Sequence, residues 1–96
     1  MYNKMNKYLS EILGTFVFFL IILATGDPIM IAVGLLIGIL LAKISSPAHL
    51  NPAVTTMMWI QGKVNDNDAI MLIGSQLIAA GLAVYWWKEM KNKNKY

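Results

Sequence analysis

Long apolar runs alternate with short polar breaks along the chain, and their lengths predict its elements. Apolar residues dominate three runs, at about positions 9–25, 29–44 and 68–87. Gly26-Asp27-Pro28 is a turn signal between the first two runs. Runs of this length can cross a bilayer as helices, although the first two are short against the usual ~20 residues. The pattern therefore predicts three transmembrane helices.

A shorter apolar run between the second and third spans predicts a different element. Residues 45–62 read SSPAHLNPAVTTMMWIQG, in which Asn51 is a strong N-cap and Pro52 suits the first helical position. About ten helical residues span only ~15 Å, half of a ~30 Å hydrocarbon core. We expect a re-entrant loop and half-helix here, and a helix lying flat at the membrane interface is the alternative.

The composition favours a membrane protein: of 96 residues, 57% are hydrophobic and 14% charged, and the mean hydropathy is +0.56. The net charge of +3 comes mostly from the two ends, which favours contact with lipid headgroups over nucleic acid. Glu11 interrupts the first apolar run, so a transmembrane helix is preferred to the alternative of a cleaved signal peptide. The chain has no cysteine, and no catalytic set, phosphate loop or metal-ligand spacing indicates an enzyme, a metal or a cofactor.

The Asn51-Pro52 pair has a specific chemistry if the half-helix begins at mid-membrane. The free N–H groups and the positive dipole end of the helix would then point into the protein interior. The Asn51 side-chain oxygen can accept from the first-turn N–H groups, which leaves its NH₂ group free to donate. Such a site binds the oxygen of a neutral solute and repels cations. The alternative is an ordinary helix cap just outside the membrane.

These residues resemble the aquaporin and glycerol facilitator family, the major intrinsic proteins. Residues 46–55 read SPAHLNPAVT, against SGAHLNPAVT in the family, and residues 10–16 read SEILGTF, against AEFLGTF. A weaker likeness is the GSQLIAAGLA run that contains Gln76. The resemblance implies an all-α membrane protein with three transmembrane helices plus one re-entrant half-helix. Residues 1–96 would form a single unit, equivalent to one half of an aquaporin fold.

The resemblance also assigns roles to particular residues. It implies that the pore and its selectivity depend on His49, Asn51, Pro52, Ala53 and Val54. It implies that Glu11 and Gln76 brace the re-entrant loop. The residues themselves leave alternatives open: Glu11 could be an interfacial carboxylate one helical turn from Lys7, and Gln76 could make a helix–helix hydrogen bond.

Glycines recur in the apolar runs and predict close packing between helices. The second run contains GLLIG, a GxxxG pair that allows two helices to approach each other. The expected packing positions are Gly14, Gly34, Gly38, Gly74 and Gly81.

The chain departs from the family at a position that bears on selectivity. Family members usually carry an arginine after their second Asn-Pro-Ala motif, whereas Val54 follows the motif here and the chain contains no arginine. The resemblance then implies a less polar filter, which tilts selectivity toward glycerol-like or other small neutral solutes.

The expected function is a passive channel for water or small neutral solutes such as glycerol. Family members carry two units in inverted orientation. We therefore expect an inverted, dual-topology homodimer in which two Asn51-Pro52-Ala53 motifs meet at mid-membrane, with a tetramer of dimers as a further assembly. The alternatives are a non-conducting small membrane protein that binds or modulates a full-length channel, and a degenerate fragment.

The lysines provide the sequence support for dual insertion. In the family-like topology, one side of the membrane would receive Lys4, Lys7, Lys43 and Lys63, and the other would receive Lys88, Lys91, Lys93 and Lys95. The excess of lysine on one side is what normally orients a membrane protein. An even division removes that bias, although small numbers also balance by chance.

Overall fold

The computed structural model describes residues 4–93, with side chains from Asn6 onward. Four helices occupy this range: α1 (Lys4–Ala24), α2 (Pro28–Ala42), α3 (Pro52–Ile60) and α4 (Asp66–Lys93). No strand occurs in the part of the chain that is described, so the fold there is all-helical.

Two of the helices begin with the same local chemistry. Asp27 caps α2 by accepting a hydrogen bond from the Met30 N–H at 2.9 Å, and Pro28 occupies the first helical position. Asn51 caps α3 from an extended backbone, and Pro52 follows it. Proline at this position costs no hydrogen bond, because first-turn N–H groups have no partner within the helix. Interactions local in the sequence therefore fix where both helices begin.

Helix α1 lies between α2 and α4 and packs against both, while α3 packs on α4. Gly14 and Gly38 bring the backbones of α1 and α2 together, since a Cβ on Gly14 would collide with the Gly38 carbonyl oxygen. At the start of α1, Lys7 Nζ lies 2.6 Å from a carboxylate oxygen of Asp68, near the start of α4. Helices α1 and α4 therefore begin on the same side of the molecule.

The interior contains several polar side chains, whereas most of the large apolar side chains face outward. Glu11 and Thr55 have no exposed surface, while Ile29 and Ile60 are 72% and 73% exposed. This distribution would be unfavourable in water, where exposed apolar surface is costly. It is favourable in lipid, where helices associate through small and polar residues.

Two helices are long and apolar enough to cross a membrane. These are Asn6–Ala24 of α1 and the whole of α4, with mean hydropathies of 1.8 and 1.7 in their most apolar windows. The 21 residues of α1 extend ~32 Å and the 28 residues of α4 extend ~42 Å. Helix α2 is a shorter apolar helix of 15 residues, ~22 Å long.

The helix ends differ from the boundaries that hydropathy predicts. Helix α4 continues to Lys93, beyond the apolar run that ends near position 87, and α1 begins at Lys4 rather than near position 9. Lysine, glutamate and methionine favour helices, and Lys91 and Lys93 in the last turn of α4 complement the helix dipole. Hydropathy marks where a helix leaves the apolar phase, whereas propensity and capping determine where it ends.

Candidate functional site

The start of α3 presents Asn51 at the molecular surface. Its backbone is extended (φ −157°, ψ 125°), and its Oδ1 accepts a hydrogen bond from the Ala53 N–H at 2.8 Å. Within the described residues, the Asn51 side-chain nitrogen has no hydrogen-bond partner. Pro52 is half-buried and Ala53 is exposed beside it. Asn51 therefore holds an oriented amide whose NH₂ group is available as a hydrogen-bond donor.

A buried carboxylate holds the loop that precedes α3. Glu11, on α1, has no exposed surface. Its Oε1 accepts from Ser46 Oγ at 2.9 Å and from the His49 N–H at 3.3 Å. Its Oε2 accepts from the Leu50 N–H at 2.5 Å and from Gln76 Nε2 at 3.1 Å. A carboxylate offers about four acceptor sites, and these four donors fill them.

The backbone of this loop adopts two conformations that residues other than glycine rarely take. Ala48 and Leu50 have φ values of 60° and 59°, in the left-handed region. Each such residue costs roughly 1–3 kcal/mol and persists only where its surroundings determine it. Here the Ala48 N–H donates to Ser46 Oγ at 3.0 Å, and the Leu50 N–H donates to Glu11. These hydrogen bonds determine the path by which the chain enters α3.

Polar side chains also link the loop to α4. Gln76 Nε2 donates to Thr55 Oγ1 at 2.9 Å as well as to Glu11, and Thr55 Oγ1 lies 2.8 Å from His49 Nδ1. Thr55 is fully buried, and Gln76 is 1% exposed. The half-buried His49 ring is thereby held next to the start of α3. Sequence reasoning does not single out Thr55. The signal that could have identified it is a hydroxyl group one turn after the cap of an otherwise apolar helix.

A partly open groove of about 340 Å³ lies beside the cap of α3. Its walls come from α1, α2, the first turn of α3 and the loop that Glu11 holds, residues 46–51, which we call the braced loop. The lining residues are Phe18, Leu35, Ile39, Ala48, His49, Leu50, Asn51 and Val54. Among these residues, none carries a carboxylate or an ammonium group, and His49 is the one that can titrate. A neutral solute can therefore lie between polar groups on one wall and apolar side chains on the other.

Three of these lining residues, Phe18, Leu35 and Ile39, have no marker in the sequence. They lie in runs that are apolar around the whole helix. Periodicity therefore does not reveal which face of α1 or α2 borders the groove.

The glycines predicted to pack fall into two groups. Gly14, Gly34 and Gly38 lie at the contact between α1 and α2, where a Cβ added to any of them would come closer than 3.0 Å to a neighbouring atom. A Cβ added to Gly74 or Gly81, on α4, meets no heavy atom within 4 Å in the described chain. A packing role for Gly74 and Gly81 therefore requires a second chain and stays a prediction.

An apolar exterior, a polar braced loop and a short helix beside a solute-sized groove define a helical membrane protein with a candidate solute path. The family model of the major intrinsic proteins matches residues 27–95 of the chain. The chain belongs to the major intrinsic protein family and is an integral membrane protein, which confirms the resemblance carried by its motif.

One curated relative shows how much of a family member this chain represents. The glycerol uptake facilitator protein-like 6 of Lactiplantibacillus plantarum is 40% identical over 90 residues. The match covers 82% of this chain and 41% of the relative, so the chain spans about two-fifths of the length of that protein. No solved structure matches the chain significantly.

Proposed function

We propose that this protein is a passive transmembrane channel for water or small neutral solutes such as glycerol, in which two copies of the chain, inverted relative to each other, make one pore. Membership of the major intrinsic protein family supports a channel rather than an enzyme. The name of the curated relative, a glycerol uptake facilitator-like protein, supports glycerol among the solutes. The observation that carries the proposal is the groove lined by Asn51, whose side-chain oxygen is held by the Ala53 N–H and whose NH₂ group has no partner in the described residues.

The proposed layout has three transmembrane helices, α1, α2 and α4, and one re-entrant half-helix, α3. Helix α3 has nine residues and extends only ~14 Å, too short to cross a bilayer. Near its end, Trp59 Nε1 donates to Asp66 Oδ1 at the start of α4. Because α4 and α1 begin on the same side, α3 is expected to return to the side from which the loop entered. The proposal is supported by the loop before it, whose N–H groups at Ala48, His49 and Leu50 have hydrogen-bond acceptors within the protein, as irregular backbone at this depth requires.

A second, inverted copy would complete the groove. One unit supplies one cap, one braced loop and one apolar wall, and the groove between them is only partly enclosed. The inverted unit would bring a second Asn51 and a second Val54 to the opposite side of the path. Lys43 and Lys63 are exposed on one side of the proposed layout and Lys88 and Lys91 on the other, which supports insertion in both orientations.

Cation exclusion in this pore would depend on two helix starts. Each α3 directs its positive dipole end and its free first-turn N–H groups toward the centre. Two Asn51 amides would orient the passing solute through its oxygen atom and so interrupt a continuous chain of hydrogen-bonded water. Val54, in the position that follows the motif, adds no charge.

The proposal is tested with proteoliposomes that contain only this chain. Vesicles are exposed to a sucrose gradient and then to a glycerol gradient, and volume changes are followed by light scattering. We expect faster shrinkage in sucrose, and shrinkage followed by re-swelling in glycerol, relative to empty vesicles. Permeability equal to that of empty vesicles would remove the channel proposal. Altered flux only on co-reconstitution with a full-length relative would favour the alternative function as a modulator.

The inverted arrangement is tested separately. The chain has no cysteine, so Gly26→Cys and Gln61→Cys each introduce a single thiol, at exposed positions on opposite sides of the proposed layout. We expect a membrane-impermeant maleimide to label a fraction of both variants in intact cells, where insertion and not reconstitution sets the orientation. Labelling of one variant alone would show a single orientation, and a different chain would then have to supply the inverted half.

A further inference from the structure

We infer that Phe18 sets the size limit for solutes in this channel, close to the Asn51 caps. The inference rests on the proposed channel function, because a size limit has meaning only if solutes pass through the groove. It assigns selectivity to a side chain of α1 that carries no sequence marker.

Phe18 is the one phenyl ring in the lining of the groove. Its neighbours on the apolar walls, Leu35, Ile39 and Val54, are aliphatic. A phenyl ring is the largest of these side-chain groups, and it is planar and internally rigid. The groove is therefore narrowed by a planar group that adapts little to the solute.

The position of Phe18 is fixed from behind. A Cβ added to Gly38 of α2 would lie 3.2 Å from Phe18 Cβ and 2.9 Å from Leu50 Cδ1. Phe18 and Leu50 thus both lie next to Gly38. At the same glycine, the backbone of α2 contacts the backbone of α1 at Gly14. The Phe18 ring also rests against the Phe19 ring, with centroids 5.6 Å apart and planes at 43°. The contact at Gly38 fixes the base of the Phe18 side chain through close packing, and this contact does not depend on Phe19.

Phe18 and Leu50 both line the groove and both approach Gly38, which locates Phe18 along the proposed pore. Leu50 immediately precedes Asn51, so the phenyl ring lies at the level where the loop enters α3. In an inverted pair the partner's Phe18 would lie at the matching level across the centre. Two phenyl rings and two amide caps would then share one short central segment, and the narrowest part of the path would be central rather than at an outer charged constriction.

The test compares two adjacent phenylalanines. Phe18 lines the groove, whereas Phe19 faces α4 and lies with Ala80 and Ala83 away from it. Permeabilities to water, ethylene glycol, glycerol and erythritol are measured for Phe18→Ala and Phe19→Ala in proteoliposomes. We expect Phe18→Ala to raise the erythritol-to-water permeability ratio about tenfold, the low end of the discrimination that a closely fitted site achieves per carbon atom. Phe19→Ala is expected to keep the wild-type ratio.

A thiol variant keeps the inference testable if Phe18→Ala does not fold. Because the chain has no cysteine, Phe18→Cys and Phe19→Cys each carry one thiol. A small thiol reagent is expected to block glycerol flux through Phe18→Cys, with recovery after reduction, and to leave Phe19→Cys conducting. Two results would overturn the inference about Phe18 while leaving the proposed channel function intact. One is an unchanged erythritol-to-water permeability ratio in a conducting Phe18→Ala channel, and the other is unblocked flux through a reacted Phe18→Cys channel. A wild-type chain without permeability would overturn the proposed function itself.

Discussion

The chain has two helix starts that are locally alike and differ in their surroundings, Asp27-Pro28 and Asn51-Pro52. In each, the side-chain oxygen of the cap accepts a first-turn N–H, at 2.9 Å and 2.8 Å, and proline occupies the first helical position. Local chemistry alone gives no reason to prefer one of them as a functional site.

The segments that precede the two caps are held by different means. Before the first cap, the Asp27 N–H donates to Thr25 Oγ1 at 3.0 Å, in an exposed hydrogen bond between near neighbours. Before the second cap, the loop is held by the buried carboxylate of Glu11, which belongs to another helix. The comparison shows that an Asn/Asp-Pro cap starts a helix in either setting. An acceptor from a distant helix is what positions one of these caps beside a groove.

The largest effect is expected from removing that distant acceptor. Glu11→Ala removes the acceptor of the His49 and Leu50 N–H groups, whereas the Ser46 hydroxyl and the Gln76 amide keep second acceptors at Ala42 and Thr55. At about 1–3 kcal/mol for each unsatisfied group, we expect a loss of about 3 kcal/mol in the free energy of unfolding. We also expect loss of solute flux, because the loop no longer positions Asn51. Thermal unfolding in detergent and vesicle permeability measure the two effects.

The matched control removes the brace before the other cap. Thr25→Ala deletes an exposed hydrogen bond, so its cost should be at most about 0.5–1.5 kcal/mol, with flux retained. Equal destabilisation by Glu11→Ala and Thr25→Ala would mean that the buried brace has no special role.

The second prediction exchanges the two cap residues in separate variants. Asn51→Asp keeps a good cap but removes the NH₂ donor and adds a negative charge beside the groove, so we expect folding to persist while glycerol flux is lost. Asp27→Asn should change stability by only a few tenths of a kcal/mol, because asparagine and aspartate rank about equally as caps. Vesicle permeability measures the flux through both variants, and thermal unfolding measures their stability. Wild-type flux through Asn51→Asp would contradict the donor role.

The third prediction concerns the glycines near the two caps. A Cβ on Gly38 would lie 2.7 Å from the Gly14 carbonyl oxygen and 2.9 Å from Leu50 Cδ1, so Gly38→Ala should cost about 1–3 kcal/mol by overpacking. A Cβ on Gly26 meets nothing within 4 Å, so Gly26→Ala should be neutral or stabilise by up to about 1 kcal/mol. The melting temperatures of the two purified variants give the comparison, and a Gly38→Ala protein as stable as Gly26→Ala would show that this helix contact is loosely packed.

Several parts of the site could be predicted before the structure, for physical reasons. The Asn51 cap is readable because its hydrogen-bond partner lies two residues away. Glu11 and Gln76 are conspicuous as polar residues in apolar runs, where burial demands a partner. The contributions of Thr55 and Phe18 could not be predicted from the sequence. A threonine in a helix can satisfy itself on its own backbone, and one phenylalanine among many apolar residues has no distinguishing pattern.

Local chemistry in the chain therefore accounts for its class, its helix starts and the short length of α3, because those features depend on hydropathy and on contacts within a few residues. The tertiary structure decided which cap lies beside the groove. The donors to Glu11 include Ser46, Leu50 and Gln76, which are 35, 39 and 65 positions away along the chain. Such contacts exist only after α1 has packed between α2 and α4, and no local pattern encodes which face of an apolar helix will meet them.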